Sequence, residues 1–167
     1  MIPSRGLRQR SPTCESQCKE VDMEKTEPKL VCFSCKFGWA YLANQEDLVG
    51  KLGNWIQVIC SGKIDTTYIL KAFRQGADGV LILGCPEGDC HYQDGNYEAR
   101  KRMRILQKVL EAQGIERERL RIHLGTDPEG KTMPQLVADM SESLNRLGPL
   151  RRVEFRKESV SEPPNLT

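Results

Sequence analysis

Five of the chain's seven cysteines stand where short apolar runs stop: Cys32 and Cys35 in VCFSC, Cys60 at the end of WIQVIC, Cys85 and Cys90 in GVLILGCPEGDC. Thiolates are soft ligands, and several gathered on one site select iron-sulfur clusters, zinc or copper over hard cations. Cys85 and Cys90 also form a Cys-x4-Cys loop containing Gly88, tight enough to wrap around a cluster. Free cysteine is commonly a small buried hydrophobe, and for any single one of the five that is the default. Five at equivalent run ends, in a chain that otherwise has cysteine only at Cys14 and Cys18 near the N-terminus, point instead to a shared centre.

The elements that must position these thiols can be read from the periodicity. KLVCFSC, WIQVIC, DGVLILG and LRIHLG are short runs rich in Val, Ile and Leu, which predict continuous buried strands. Helical spacing fills the intervals. Trp39, Leu42, Leu48 and Leu52 predict a first helix, and Ile69, Leu70 and Phe73 a second that stops at Gly76. Met103, Leu106, Val109 and Leu110 predict a third ending before Gly114, and Leu136, Val137, Met140 and Leu144 a fourth ending at Gly148. Strand and helix alternate four times, which predicts an α/β fold: a four-stranded parallel sheet with helices on both faces. In such sheets the crevice lies beyond the carboxyl ends of the strands. Cys35, Cys60 and Cys85 close three strands there and Cys90 follows in the next loop, so four sulfurs meet if those strands are neighbours. Cys32 lies inside the first run, where the pleat turns it to the face opposite Cys35.

The chain has 167 residues, enough for one domain with a real core. Residues 1–28 and 151–167 are poor in large apolar side chains and read as disordered or extended tails flanking a domain at 29–150. Lys and Arg number 25 against 23 Asp and Glu, a formal charge of +2, which gives no electrostatic case for nucleic-acid binding. No apolar stretch approaches the roughly 20 residues needed to cross a bilayer, and the N-terminus lacks the apolar centre of a secretory signal. A cytoplasmic protein without membrane association is expected, and in that reducing compartment seven cysteines suit metal ligation or redox chemistry better than disulfides.

Two rival chemistries are open at this level. Four cysteines also suit structural zinc, although zinc ligands usually come as pairs on short Cys-x2-Cys turns. Cys32-Phe-Ser-Cys35 after a strand suggests a thioredoxin-like dithiol, which leaves three further cysteines unexplained. Dinucleotide and phosphate fingerprints are absent. His123, within an apolar run, reads as a core histidine, and Asp127, past that run's end, as a turn residue. Arg100, Arg104 and Lys108, with Lys101 and Arg102 beside them, form a basic stripe on the third helix, either a solvated face or a docking surface for an acidic partner.

Cys60-Ser-Gly, LKAFRQGADGVLILGC and GDCHYQDGNYEARKRM together resemble the methyl-viologen-reducing hydrogenase delta-subunit family, iron-sulfur proteins associated with heterodisulfide reductase. The resemblance runs from about Lys29 to Pro149. It implies one [2Fe-2S] cluster that relays electrons from hydrogenase, formate dehydrogenase or another donor enzyme to a heterodisulfide-reductase A-like flavoprotein. The chain itself would be a non-catalytic redox subunit, with any flavin-based electron bifurcation downstream. It further implies Cys35, Cys60, Cys85 and Cys90 as the ligands, the number a [2Fe-2S] centre requires. Members often carry Phe-Cys-Cys-Asn-Trp-Cys where this chain has Phe33, Ser34, Cys35, Lys36, Phe37 and Gly38, so Gly38 falls on the family's last cysteine and Cys32 outside the pattern. Gly62, Gly84 and Gly88 would let N–H groups approach the sulfurs, and His91 would be a neighbour of the centre. Cys14 and Cys18 have no assigned role, and the N-terminal segment carrying them reads as a partner-binding extension. A zinc-stabilised interaction adaptor without redox role is the alternative reading.

Overall fold

The computed structural model describes residues 27–38 and 54–150. Four strands, β1 (Leu30–Cys35), β2 (Asn54–Val58), β3 (Gly79–Gly84) and β4 (Leu120–Leu124), form one sheet in the order β2-β1-β3-β4. Every pairing is parallel, with Val31 opposite Asn54 and Val80, and Val80 opposite Leu120. Three helices complete the described part: α1 (Thr66–Arg74), α2 (Gly95–Ala112) and α3 (Thr132–Leu147). The α/β class and the four-stranded parallel sheet expected from the sequence are therefore observed, each strand within two residues of its predicted run at either end. The helix predicted around Trp39 to Leu52, the two tails, Cys14 and Cys18 lie outside the described residues.

The strand period of two sorts the core. Val31, Phe33, Val80, Ile82 and Leu120 pack beneath α1 and α2 against Ile69, Phe73, Met103, Leu106 and Leu110. Leu30, Cys32, Leu81 and Leu83 turn the other way, onto Met133, Val137, Met140 and Leu144 of α3. Each fully buried side chain of this size contributes about 1.5–3 kcal/mol relative to exposure, which is why the two central strands carry no polar side chain but Ser34, whose buried hydroxyl accepts a hydrogen bond from Trp55 Nε1. The edge strands differ from expectation. WIQVIC reads as buried, yet Ile56 is 43% exposed and Ile59 52%. With a neighbour on one side only, β2 shares its faces with fewer packing partners.

Helix ends follow the local chemistry. The Asp65 carboxylate accepts the Thr67 N–H at 2.8 Å and starts α1. Fully buried Asp127 accepts N–H bonds from Lys131, Thr132 and Met133 at 2.8–3.0 Å, and so holds the first turn of α3. Asp127 is thus a capping group, in keeping with its reading as a turn residue. Gly148 closes α3 at a φ of 75°, where a side chain would be strained. Arg119 is only 1% exposed and reaches the carbonyls of Asp78 and Gly148 as well as the Glu116 carboxylate, tying the start of β3 to the end of α3. Among the described residues no helix is long and apolar enough to cross a membrane.

Candidate metal centre

Because β2, β1 and β3 are neighbours, their carboxyl ends bring together what the sequence separates. The sulfurs of Cys35 and Cys85 lie 3.4 Å apart, and those of Cys60 and Cys90 lie 3.9 Å apart. All four thiols are buried, Cys90 being the most accessible at 9%. Cys85 feels the charge of both Cys60 and Cys90, and Cys60 that of Cys35, so the two pairs belong to one site. A tetrahedral ion that holds each thiolate at about 2.3 Å, the zinc–thiolate distance, sets two sulfurs about 3.8 Å apart. Both pairs sit near that separation. Among the described residues no three Cys, His, Asp or Glu side chains close on a single ion, so the arrangement is two plus two.

The backbone around the thiols is drawn tight. Cys60 follows the bend after β2 in an extended conformation and caps the 3-10 turn Ser61–Lys63, its sulfur accepting the Gly62 N–H at 3.4 Å. Arg102 of α2 donates to the carbonyls of Gly62, at 3.2 Å, and Ile64, at 2.6 Å, fixing that turn. Gly62 and Gly95 meet face to face: a Cβ on Gly62 would lie 2.8 Å from the Gly95 Cα, and one on Gly95 would lie 2.5 Å from the Cys60 sulfur. The loop between Cys85 and Cys90 turns at Gly88, whose φ is 89°. Buried Asn96 holds it by donating to the carbonyls of Cys85 and Pro86, at 3.2 and 2.6 Å.

Crowding and burial set the electrostatics. Burial pushes the Cys85 thiol up to about 12, with the Cys35 hydrogen bond and the neighbouring thiols adding to it. Burial also raises Cys60. At Cys90 burial pushes upward too, but the N–H groups of Tyr92, Asn96 and Gly95 and the Cys60 hydrogen bond outweigh it, and the net direction is down. Four thiolates this close repel one another unless a cation joins them, and metal binding is what deprotonates such a set.

The structure brings Cys35, Cys60, Cys85 and Cys90 together and leaves Cys32 apart. Cys32 lies beneath α3 among Leu30, Leu81, Leu83 and Met133, and burial lifts its thiol to about 12. That removes the thioredoxin-like dithiol, since Cys32 and Cys35 face opposite sides of the sheet. Gly38 lies against Cys85: a Cβ there would stand 3.2 Å from its sulfur. His91 stacks on Phe37, rings 4.0 Å apart and 13° from parallel, with Tyr92 edge-on to both. Phe37, Tyr92 and Ile59, all more than 40% exposed, form an apolar rim around the thiols. Of the expected glycine contacts, Gly62 reaches a sulfur, whereas Gly88 serves the turn. His123 is half-buried on the edge strand β4, where burial lowers its basicity.

The basic stripe is largely committed to its own protein: Arg100 pairs with Glu87 of the cysteine loop, Lys101 with Glu98, and Arg102 with the two carbonyls. Arg104 and Lys108 remain on the exposed side of α2. Sequence reasoning missed Gly95, Asn96 and Arg102 as builders of the site. Their signal is a glycine, an amide and a base clustered in the first turns of the helix that follows the last cysteine.

Comparison with known proteins finds relatives over most of the chain. The iron-sulfur subunit of an F420-non-reducing hydrogenase from Archaeoglobus profundus is 35% identical over 135 residues, 77% of this chain and 96% of that protein. The corresponding iron-sulfur subunit of the vhc F420-non-reducing hydrogenase from Methanococcus voltae is 39% identical over 134 residues, 75% of this chain and 90% of that one. A ferredoxin/F420H2-dependent CoB-CoM heterodisulfide reductase subunit from Methanosarcina acetivorans is 32% identical over 151 residues, 86% of this chain but 18% of that larger protein. The family model described as methyl-viologen-reducing hydrogenase, delta subunit, matches residues 29–148, from the start of β1 through the end of α3. All four clustered cysteines fall inside that span, and the chain belongs to the methyl-viologen-reducing hydrogenase delta-subunit family.

Proposed function

We propose that this chain is a cytoplasmic, non-catalytic electron-transfer subunit. It holds one [2Fe-2S] cluster on Cys35, Cys60, Cys85 and Cys90 and passes electrons between a donor enzyme and a heterodisulfide-reductase A-like flavoprotein. The observation that carries the reading is the two-plus-two pairing of sulfurs at 3.4 and 3.9 Å. A binuclear cluster takes two protein ligands on each iron, whereas structural zinc draws four ligands onto one ion. When bound, the cluster supplies a one-electron store that needs no proton.

The chain's own residues do the rest. The thiols bind, the Gly62 N–H offers a hydrogen bond to the Cys60 sulfur, and the buried setting excludes water. The apolar rim of Phe37, Tyr92 and Ile59 is the face through which a partner would come close enough for electron transfer. Partner choice is supported by the relatives: one kind is named as part of a hydrogenase, and in another the similar stretch lies within a larger heterodisulfide reductase polypeptide. The donor enzyme is a hydrogenase, formate dehydrogenase or a similar oxidoreductase.

Iron and acid-labile sulfide measured after anaerobic reconstitution should each give two per chain in the parent and fall sharply in Cys60→Ser. Stoichiometric zinc with no iron, or an assembled complex of Cys60→Ser that still transfers electrons, would sink the reading.

A further inference from the structure

Ser61 is 1% exposed, and among the described residues its Oγ is the buried side-chain polar atom with no hydrogen-bond partner. The residue opens the 3-10 turn capped by Cys60, and it is the Cys60 sulfur that performs the capping. Its hydroxyl lies over the end of β3, 2.9 Å from where a Gly84 Cβ would stand, and Gly84 precedes Cys85. The hydroxyl therefore belongs to the turn that follows one ligand, Cys60, and lies beside the residue that precedes a ligand of the other sulfur pair, Cys85. An alanine would fill this place without leaving a polar group unsatisfied, so retaining an unpartnered donor here is costly unless something else accepts its hydrogen bond.

We propose that Ser61 is a positioning residue whose hydroxyl donates a hydrogen bond to a sulfur of the bound iron-sulfur cluster and raises its reduction potential. The inference rests on the iron-sulfur reading above. Hydrogen bonds to cluster sulfurs are among the groups that set the potential. Reduction adds one electron and no proton, so the sulfurs gain negative charge and a donor aimed at them favours the reduced form. Without the cluster the same hydroxyl is an orphan. Replacing Ser61 should therefore have opposite effects in the two states of the protein, which a purely structural serine would not.

The test uses the full chain with Ser61→Ala, reconstituted anaerobically with iron and sulfide and titrated with dithionite under electron paramagnetic resonance. At a fixed poise near the parent's midpoint, the reduced-to-oxidised ratio should fall by about two- to tenfold, the worth of one net hydrogen bond; tenfold is about 59 mV for a one-electron couple. The metal-free variant should melt at or above the parent. An unchanged ratio, or a metal-free variant that melts below the parent, overturns the proposal. Should Ser61→Ala take up no iron, Ser61→Thr decides: loading there shows that the hydroxyl holds the cluster, and failure there makes Ser61 a packing position and ends the proposal. A parent chain that takes up no iron refutes the iron-sulfur reading instead.

Discussion

Substituting Gly95 by alanine perturbs the candidate centre with one methyl group. Its Cβ would lie 2.5 Å from the Cys60 sulfur and 3.3 Å from the Cys90 sulfur. Non-bonded heavy atoms settle about 3.5–4.0 Å apart, so Cys60 must retreat by about 1 Å or more. The first turn of α2 cannot give way instead, because Asn96 is bonded to two carbonyls of the cysteine loop and the Gly62 backbone abuts Gly95. Overpacking of this kind costs about 1–3 kcal/mol, and the better helix propensity of alanine returns at most about 1 kcal/mol. A net loss of about 1–2 kcal/mol is expected in urea denaturation of the metal-free protein, with a large drop in iron bound per chain after anaerobic reconstitution. Gly79→Ala is the control: its Cβ would stand 2.7 Å from Leu144 Cδ1 and 2.9 Å from Met140 Cε, on the α3 face of the sheet. It should lose comparable stability and keep its iron. If Gly95→Ala binds iron at parent stoichiometry with the parent spectrum, the pairing of Cys60 with Cys90 is not the binding arrangement.

Cys32→Ala should cost about 1–2 kcal/mol in the core under α3 and leave iron content unchanged; loss of iron would show that Cys32 is a ligand after all. Arg102→Ala removes two charge-assisted hydrogen bonds to the turn carrying Cys60, so chemical denaturation should report a loss of about 1.5–3 kcal/mol. Burial opposes ionisation of Asp127, but the N–H groups of Met133, Thr132 and Lys131 overcome it and hold the carboxyl below its ordinary value. Its contribution is present above the unfolded value of about 3.9 and is lost as pH falls through the lower native one. Asp127→Ala should therefore cost about 1–2 kcal/mol at neutral pH, and its stability deficit against the parent should narrow in urea titrations run from about pH 5 to about pH 3.

The described elements were legible where one force acts alone. β1 and β3 announce themselves because burial on both faces demands apolar residues at nearly every position, Ser34 being the polar one, and the helix ends because Gly76, Gly114 and Gly148 adopt positive φ. The clustered cysteines were legible as strand-end residues, and their meeting follows from the order β2-β1-β3. Which cysteine faces which was not. The pleat separates Cys32 from Cys35, but the pairing of Cys35 with Cys85 and of Cys60 with Cys90 depends on how two loops fold back over the sheet edge. The fate of the basic stripe was also hidden, since a helix pattern cannot show that Arg102 turns inward to carbonyls 38 and 40 residues away in sequence. Ile56 and Ile59 misread as buried for a similar reason: an edge strand and a central one look alike in composition.

The two sulfur pairs interleave along the chain, 35 with 85 and 60 with 90, spanning 50 and 30 residues. No contiguous fragment contains the centre without β2, β3 and the carboxyl end of β1, from the three strands that must pair before the four sulfurs meet. Pairing of parallel strands is non-local and comes late in folding, because long loops must close before the contacts reward it. Metal loading is thereby coupled to finished topology: a nascent or misregistered chain offers thiols but no centre. Once loaded, the crossed linkage would act as a staple on both loops at once, so slow unfolding should mark the metal-bound chain more than a high melting temperature does.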